Sequence, residues 1–162
     1  VVDAVAPTPV IAAGGPGDGR GVAAALALGA QAVWIGTAFL VAEECEIYAE
    51  NKRQILDSDS ESFRVTKVWT GKTVRTFQND VVKAWEQAGL KTLDTPHQRI
   101  LLEDLTASAA KAGRYDLILN PAGQVSGMLK QSKPAKQIME ELVAGTIEDL
   151  NRINRDLRYS FG

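Results

Sequence analysis

The chain has 162 residues, of which 45% are hydrophobic and 23% charged, with a formal net charge of -2. This composition excludes an intrinsically disordered tail, and the small net negative charge argues against a nucleic-acid-binding surface. The single cysteine, Cys45, excludes an intrachain disulfide and leaves no thiol pair for a zinc site. With one cysteine and no Cys/His cluster, we expect a protein of the reducing cytoplasm without a bound metal. No apolar stretch is long enough to span a membrane.

The first part of the chain predicts a strand, a helix and a second strand. Pro9–Ala13 is a short apolar run ended by a glycine pair, which is typical of a buried parallel strand. Asp18 is the predicted N-cap of a helix that ends at Gly29, and Ala32–Ile35 follows as the second strand. Because the crossover is short, we expect the two strands to be parallel neighbours joined by a right-handed connection.

The rest of the chain is predicted to be mainly helical. In chain order the predicted elements are a helix at Ala42–Leu56, a strand at Phe63–Thr70, helices at Asn79–Ala88 and from Thr95 to about Ala112, and a long helix capped by Ser132. The acidic, serine-rich loop Asp57–Ser62 marks the predicted domain boundary. Three tryptophans lie in apolar patterns and are predicted to be core residues: Trp34, Trp69 and Trp85.

Two glycine turns follow the two predicted parallel strands, Gly14-Gly15 after the first and Gly36-Thr37 after the second. Glycines let the backbone pass close to a ligand, and amides at the start of the following helix can point toward an anion such as phosphate. In a (β/α)8 barrel the loops after strands seven and eight often form one phosphate site, and these turns have that arrangement. The alternative, that the glycines only close tight turns, stays open here. The spacing to Gly19 lacks the three-glycine dinucleotide fingerprint.

Three stretches carry a resemblance to a known family. They are PVIAAGGPGDGRGVAAALALGAQAVWIGTAF at residues 9–39, TGKTVRTFQND at residues 70–80 and NPAGQVSGMLK at residues 120–130. Together they resemble the FMN-dependent nitronate monooxygenases, formerly called 2-nitropropane dioxygenases. The resemblance covers most of the chain and is strongest in the first stretch.

The resemblance implies an FMN site and the residues that form it. The residues at the matching positions are Ala13, Gly14, Gly15, Gly36, Thr37 and Gln124. The first three would hold the FMN phosphate from the loop after the seventh strand, and the next two from the loop after the eighth. Gln124 would lie near the flavin or its substrate. Pro16 departs from the family pattern, in which an aliphatic residue usually follows the glycine pair, and it lacks an amide donor.

The resemblance also implies a reaction, in which FMN and O2 oxidise alkyl nitronates or nitroalkanes to carbonyl compounds and nitrite. The partners would be the small-molecule substrate and O2, with no nucleic acid or membrane, and a homodimer is one possible assembly. In the family a catalytic histidine lies on the strand before the seventh, and this sequence begins after that point. We therefore assign no catalytic residue.

The expected fold is α/β: the carboxyl-terminal part of a (β/α)8 TIM barrel, strands seven and eight, with a smaller, mostly α-helical lobe on the substrate side. The rest of the barrel is expected upstream of Val1. Residues 1–56 would form the end of the FMN-binding barrel, residues 57–130 an inserted lobe, and residues 131–162 a helix that returns to the barrel. Its apolar stripe would pack against the barrel or a partner subunit.

Three other chemical candidates are weaker. His97, the only histidine, follows Thr95-Pro96 at a predicted helix start, where an exposed residue is the simpler interpretation. The stretch TGKT at residues 70–73 would need a glycine at position 66 to be a P-loop, but that residue is Thr66. Cys45 has glutamates on both sides, which disfavour a thiolate and indicate a structural thiol.

Two alternatives to nitronate oxidation remain from sequence. One is another TIM-barrel oxidoreductase with the same phosphate site, of the flavin enoyl reductase or inosine-monophosphate dehydrogenase type. The second of these types would need a cysteine loop before the seventh strand, where Cys45 does not lie. The other alternative is a non-catalytic phosphate-binding fragment.

Overall fold

The computed structural model describes residues 1–161, with side chains for residues 1–158. The chain divides into two compact units. The first unit is Val1–Cys45 together with the segment that starts at Gln131, and the second is Glu46–Lys130. The division after Cys45 comes before the boundary expected at Asp57.

The helices and strands are the following, in chain order. They are α1 (Val2–Val5), β1 (Ile11–Ala13), α2 (Gly19–Ala27), β2 (Ala32–Trp34), α3 (Thr37–Leu40), α4 (Ala49–Leu56), β3 (Phe63–Thr66), β4 (Val74–Phe77), α5 (Asp80–Gln87), α6 (His97–Leu101), α7 (Glu103–Lys111) and α8 (Ala135–Phe161). Two short 3-10 helices, Tyr115–Leu117 and Gln124–Met128, lie between α7 and α8. The fold is therefore mixed α/β, as expected.

The predicted strand, helix and strand of the first unit are confirmed. β1 and β2 pair in parallel, from Ile11 opposite Ala32 to Ala13 opposite Trp34. The Gly21 N–H donates to Asp18 Oδ1 at 2.9 Å, so Asp18 caps α2 as its residue type favours. Gly29, with φ of +94°, ends the helix in the left-handed conformation that glycine tolerates best.

The expected burial of these strands is wrong for this chain. The side chain of Ile11 is 57% exposed and that of Trp34 is 72% exposed, although both were predicted to lie in a core. The physical reason is that the described sheet around them has only two strands, β1 and β2, so part of its surface has no covering layer. Trp34 is therefore not a core residue in this structure.

α8 packs against α2 through small residues. A Cβ atom added to Gly19 would lie 2.4 Å from the carbonyl carbon of Gly145, so the two backbones touch. Thr146 Oγ1 bonds to the carbonyl oxygens of Leu142, at 2.6 Å, and of Gly19. Ile138 and Leu142 are buried, whereas the rest of the predicted apolar stripe is largely exposed: Met139, Val143, Ile147 and Leu150.

The start of α8 differs from its prediction. Ser132 does not cap the helix, because its Oγ donates to the Val41 carbonyl at 2.7 Å. The helix begins at Ala135, directly after Pro134. The Ala135 N–H donates to Glu44 Oε2 at 2.8 Å, so a carboxylate from a distant part of the chain takes the place of the predicted local cap.

The predicted helix at Ala42–Leu56 is only half correct, since α4 begins at Ala49. Ala42 forms a parallel bridge with Lys133, and the Glu43 N–H donates to the Lys133 carbonyl at 3.0 Å. These bonds take the backbone out of a helical path. The break also explains the position of the unit boundary, since α4 packs within the second unit.

The contacts of α4 show why it belongs to the second unit. The ring of Tyr48, at the N-cap of α4, stacks on Tyr115 with centroids 3.9 Å apart. Asn51 Nδ2 donates to the Leu119 carbonyl at 3.4 Å. Both partners lie near the 3-10 helix Tyr115–Leu117, so the helix is held by residues far along the chain.

The second unit also contains a hairpin and three further helices. β3 and β4 are antiparallel, with Phe63 opposite Phe77, so the predicted strand is shorter than expected and is followed by an unpredicted partner. α5 agrees with its prediction and is capped by Asn79, which accepts from the Val82 N–H at 3.2 Å. The helix predicted from Thr95 is divided at Leu102 into α6 and α7.

One apolar core cluster of the second unit joins the hairpin side to the helices. Its members are Val68, Trp69, Val82 and Leu102, with Val81, Trp85 and Leu119 packed partly buried against it. The prediction that Trp69 is a core residue is confirmed, since it is 4% exposed. Trp85 lies at the cluster's edge, where its Nε1–H donates to the Leu90 carbonyl at 2.9 Å.

Candidate functional site

The first turn follows β1 directly and is shaped by its backbone. Gly14 and Gly15 have φ of +81° and +99°, which is the left-handed region where residues with a side chain are strained. A Cβ atom added at either position would meet nothing within 4 Å. Conformation, not crowding by the protein, therefore requires these glycines, and the turn presents bare, exposed backbone.

Two common reasons for a glycine, a positive φ and close packing by the protein, do not apply to the second turn. Gly36 is the N-cap of α3 with φ of -110°, a value that other residues adopt readily. An added Cβ would again meet nothing within 4 Å. Neither strain nor protein packing thus explains the missing side chain, and the space beside the Gly36 backbone is open. Thr37 follows as the half-buried first residue of α3.

The strand register brings the two turns to the same edge of the sheet. Ala13 pairs with Trp34, so both turns leave the carboxyl ends of neighbouring parallel strands. Among the described residues, no protein acceptor is bonded to the backbone amides of Gly14, Gly15 and Gly36. Exposed amides without protein partners can donate to an oxyanion, which is the chemistry that a phosphate group needs.

Two neighbouring residues limit which atoms could contact an anion. Asp18 Oδ1 already accepts from the Gly21 N–H in the first turn of α2, and it places a carboxylate at that helix end. Pro16 has no amide hydrogen to donate. An anion at this edge would therefore contact mainly the amides of the glycine turns, and less the first amides of α2.

Gln124 lies in the second unit and is described within that unit. It is the exposed first residue of the 3-10 helix Gln124–Met128, and Gly123 is the N-cap. The structure thus brings five of the six predicted site residues together at one sheet edge, and it places the sixth on a surface turn of the other unit.

A buried polar network surrounds the segment that leads to Gln124. Its members are Asn51, Gln54, Thr76, Asn79 and Asn120, each at most 8% exposed. Asn120 is central, since its side chain donates to Asn51 O at 3.0 Å and to Gln54 Oε1 at 2.9 Å. Asn79 Nδ2 donates to the Ile118 carbonyl at 3.0 Å.

Our sequence reasoning missed this network. The spacing of Asn51 and Gln54, three residues apart in α4 and on the same face as Ile55, was the available signal, because two amides on the face that carries an apolar residue indicate buried partners. Their partners lie more than sixty residues away in the chain.

The loop before β3 supports the far end of the same segment. Asp59 Oδ1 accepts from the Ser62 hydroxyl at 2.7 Å and from the backbone N–H groups of Glu61 and Ser62. These bonds, led by the one from Ser62 Oγ, lower the pKa of the Asp59 carboxyl. Gly127 packs directly on this loop, since an added Cβ would lie 2.8 Å from the Ser60 nitrogen.

Two of the three weaker sequence candidates, His97 and the TGKT stretch, do not form reactive sites. His97 is exposed as the first residue of α6, where it was expected. In the TGKT stretch, Thr70 Oγ1 bonds to both the N–H and the carbonyl of Lys72, and a Cβ on Gly71 would lie 2.5 Å from the Leu93 oxygen. This turn is therefore closed by protein contacts and leaves no space for a phosphate.

Two kinds of feature are absent from the part of the chain that the structure describes. Within it, no cluster of three or more His, Cys, Asp or Glu side chains is arranged to bind a metal ion. None of the described helices is both long enough and apolar enough to cross a bilayer.

Relatives of known sequence and structure resemble this chain over most of its length. A probable nitronate monooxygenase from Bacillus subtilis is 37% identical over 134 residues, which are 83% of this chain and 39% of the relative. A nitroalkane oxidase from Streptomyces ansochromogenes has a similar structure, with a TM-score of 0.82 and 32% identity, over 93% of this chain and 42% of that protein. FabK from Thermotoga maritima gives a TM-score of 0.75 and 30% identity, over 90% of this chain and 46% of FabK.

These likenesses agree on the fold, and the family is shown by the family model and the sequence relatives. The similar structures are TIM-barrel enzymes. This chain spans about two fifths of the length of the curated relatives that it matches. The family model for nitronate monooxygenase matches residues 1–145. The chain therefore belongs to the nitronate monooxygenase family, which confirms the family predicted from its motifs.

Proposed function

We propose that this chain supplies the FMN phosphate site of an enzyme that oxidises alkyl nitronates with O2 to carbonyl compounds and nitrite. Enzymes of the nitronate monooxygenase family are flavin-dependent. The observation that carries the proposal is the pair of bare turns at one sheet edge. Gly36 is the sharpest part of it, because neither its φ nor any protein contact accounts for the absence of a side chain.

The proposed roles follow from the available donors. The amides of Gly14 and Gly15 would donate to the phosphate oxygens from the first turn, with Ala13 setting the start of that turn. Gly36 and Thr37 would hold the phosphate from the second turn, where a side chain on residue 36 would occupy the ligand's space. Gln124 would contact the flavin ring or the substrate through its amide group. Bound FMN supplies the transfer of electrons from the nitronate to O2.

We propose further that the chain is the carboxyl-terminal part of a longer TIM-barrel enzyme, holding its seventh and eighth strands. Two observations support this: the chain spans about two fifths of its relatives, and the sheet residues Ile11 and Trp34 are exposed. A two-stranded parallel sheet has unpaired edges, which a closed barrel removes. The 162-residue chain alone should then bind FMN weakly and turn over no nitronate.

The decisive experiment replaces Gly36 in the complete protein. Gly36→Val should lower FMN affinity at least tenfold, because the side chain fills the space of the phosphate, while the free energy of unfolding without FMN falls by about 1 kcal/mol or less, the loss expected when valine replaces glycine at a helix N-cap. Flavin absorbance and fluorescence titrations measure the affinity, and urea unfolding of the flavin-free protein measures the stability.

Gly19→Ala is the matched control, since its added Cβ meets protein backbone and not open space. It should lower stability by about 1–3 kcal/mol. It should lower FMN affinity by no more than the factor that corresponds to this loss of stability. Unchanged FMN binding in Gly36→Val would refute the proposed phosphate site. A stoichiometric flavin spectrum on the 162-residue chain alone would refute the proposal that it is one part of a longer enzyme.

The likeness to FabK keeps a second candidate open, a different TIM-barrel oxidoreductase that holds a flavin phosphate in the same way. Two assays on the flavin-loaded complete protein separate the candidates. Oxygen consumption with a propyl nitronate, accompanied by nitrite release, supports the first. NADH oxidation that requires an enoyl thioester, without nitrite release, supports a flavin enoyl reductase.

A further inference from the structure

The segment from Asn120 to Lys130 is held to the second unit at both ends, while Gln124 between them is exposed. Such an arrangement fixes the place of one surface residue through contacts that the residue itself does not make. The contacts at each end can be examined separately, because they involve different elements.

Asn120 forms the anchor at the amino end, and it is 2% exposed. Its Nδ2 donates to Asn51 O at 3.0 Å and to Gln54 Oε1 at 2.9 Å, which joins the segment to α4. Its carbonyl oxygen accepts from Thr76 Oγ1 and from the Phe77 N–H, both at 3.0 Å, which joins the segment to β4. One residue thus uses its side chain and its backbone to tie the segment to two elements.

The carboxyl end is fixed by close packing and one long side chain. Ser126 is fully buried, and Gly127 lies so close to the Ser60 nitrogen that a Cβ atom would stand 2.8 Å from it. Lys130 Nζ donates to the Ser58 carbonyl at 2.6 Å. The turn at Gly123 and Gln124 therefore has little freedom to shift relative to the second unit.

A buried amide is a costly means of closing an ordinary loop, because each of its polar atoms must find a partner away from water. Its advantage is directional: hydrogen bonds fix orientation where apolar contacts allow sliding. We propose that Asn120 is a positioning residue, which holds Gln124 in the orientation that it needs at the flavin or substrate. This inference rests on the proposed function, in which Gln124 contacts one of them.

The first experiment measures the position of the turn without any activity. In the 162-residue chain labelled with 15N, Asn120→Ala should shift the backbone amide signals of residues 123–128 and the side-chain amide signal of Gln124, which Gln124→Ala identifies. Gln98→Ala is the matched control, because Gln98 is also a fully buried amide of this unit and bonds to Val68 O and the Leu93 N–H. Its shifts should centre on those partners.

The second experiment is a double-mutant cycle on turnover by the complete, flavin-loaded enzyme. Asn120→Ala and Gln124→Ala should each lower kcat/KM by roughly tenfold, since a displaced contact loses much of its value in the transition state. If Asn120 acts through Gln124, the double variant should be no worse than Gln124→Ala. Gln98→Ala should combine with Gln124→Ala multiplicatively.

Each result decides between support and refutation. Localised shifts together with a non-additive cycle support the inference. Equal shifts of residues 123–128 in Asn120→Ala and Gln98→Ala overturn it, and so does a multiplicative cycle or a Gln124→Ala enzyme with normal kcat/KM. If the unaltered enzyme oxidises no nitronate, the proposed function fails, and the NMR experiment alone decides whether Asn120 holds the turn. If Asn120→Ala does not fold, Gln54→Ala, which removes one acceptor, undergoes the same measurements.

Discussion

The two units of this chain bury their apolar residues to different extents. The second unit buries an aromatic and aliphatic cluster around Trp69 and Val82, and the buried side chains of Asn79 and Asn120 donate to partners within it. The first unit leaves Trp34, Met139 and Ile147 exposed along an open apolar groove of about 460 Å³ between β2 and α8. The second unit has a core of its own, whereas much of the first unit's apolar surface is uncovered.

This difference tells us what kind of evidence each unit can offer about function. In the first unit, the candidate site is formed by backbone and by the absence of side chains. A side chain at Gly36 meets open space and no positive φ, so a mutation there tests ligand binding with a small effect on folding, whereas one at Gly14 or Gly15 would also strain the backbone. In the second unit, the candidate residue Gln124 depends on a buried network, so mutations there change folding and function together unless a control separates them. The following predictions test the difference itself, beginning with the largest effect.

Removing one aromatic side chain from each unit should have very different consequences. Phe63 is 1% exposed and packs edge-to-face on Phe77 with centroids 5.5 Å apart, so Phe63→Ala should cost about 3–5 kcal/mol of stability. Trp34 is 72% exposed, so Trp34→Ala should change the stability of this chain by less than about 1 kcal/mol. Urea unfolding followed by circular dichroism measures both free energies.

The control measures the same two variants, Trp34→Ala and Phe63→Ala, in the complete enzyme. If the proposed remainder of the barrel covers Trp34, the same Trp34→Ala change should become several-fold more costly in the complete enzyme, while the cost of Phe63→Ala should stay the same. Equal losses for the two variants in the 162-residue chain would show that the first unit is not less well packed than the second.

Removing the cap of α2 and removing the cap of α5 should differ in their cost to the free energy of unfolding, but by less than the two aromatic substitutions differ. Asp18 is half-buried and its side chain caps α2 by accepting from the Gly21 N–H, so Asp18→Ala should cost about 1 kcal/mol. Asn79 is 5% exposed and both accepts from the Val82 N–H and donates to the Ile118 carbonyl, so Asn79→Ala should cost about 2–3 kcal/mol. Thermal unfolding of both variants provides the comparison.

Asn79→Asp separates the two bonds of Asn79, because aspartate keeps the cap acceptor and loses the donor to Ile118. Its stability should lie below that of the unaltered chain, since a buried carbonyl is left facing a carboxylate. Should Asp18→Ala prove as costly as Asn79→Ala, the first unit would depend on its caps as strongly as the second does.

The sequence predicts an element correctly when local contacts form it, and less well when distant contacts do. β1, α2 and β2 were predictable because their signals are local: Asp18 caps within three residues, and Gly29 ends the helix through its own φ. The family and the two glycine turns were predictable from motif residues that are contiguous in the chain. α5, capped by Asn79, was predictable for the same reason.

Several of the errors involve partners far away in the chain. Ser132 matches a helix cap in type, but it bonds to Val41, and the start of α8 is instead bonded by Glu44. Likewise, residues 42–43 pair with Lys133 instead of extending α4. The exposure of Trp34 depends on whether other parts of the fold cover its strand, which a local sequence pattern does not show. The proposed role of Asn120 depends on hydrogen bonds to residues more than sixty positions earlier.

The smallest predicted effect is a pH dependence in the loop that supports Gly127. Bonds from Ser62 Oγ and from two backbone amides favour the ionised form of Asp59 and lower its pKa in the folded chain. The carboxylate therefore contributes stability that is fully present above the ordinary aspartate pKa and is lost as the pH falls through the lower folded value. Because Asp59 is exposed, solvent weakens this contribution, so the titration itself is the better measurement.

The titration of the Asp59 side-chain carboxyl carbon by NMR should have a midpoint below that of an unstructured aspartate. Ser62→Ala removes the strongest of the three donors, so the midpoint should rise toward the ordinary value, with the two backbone bonds keeping part of the shift. If protonation loosens the loop, the amide signals of residues 126–128 should move with the same midpoint, since Gly127 packs against Asp59 and Ser60. Movement of these signals at a different pH would mean that the loop and the Gln124 segment respond separately, and that the carboxyl-end anchor does not depend on Asp59.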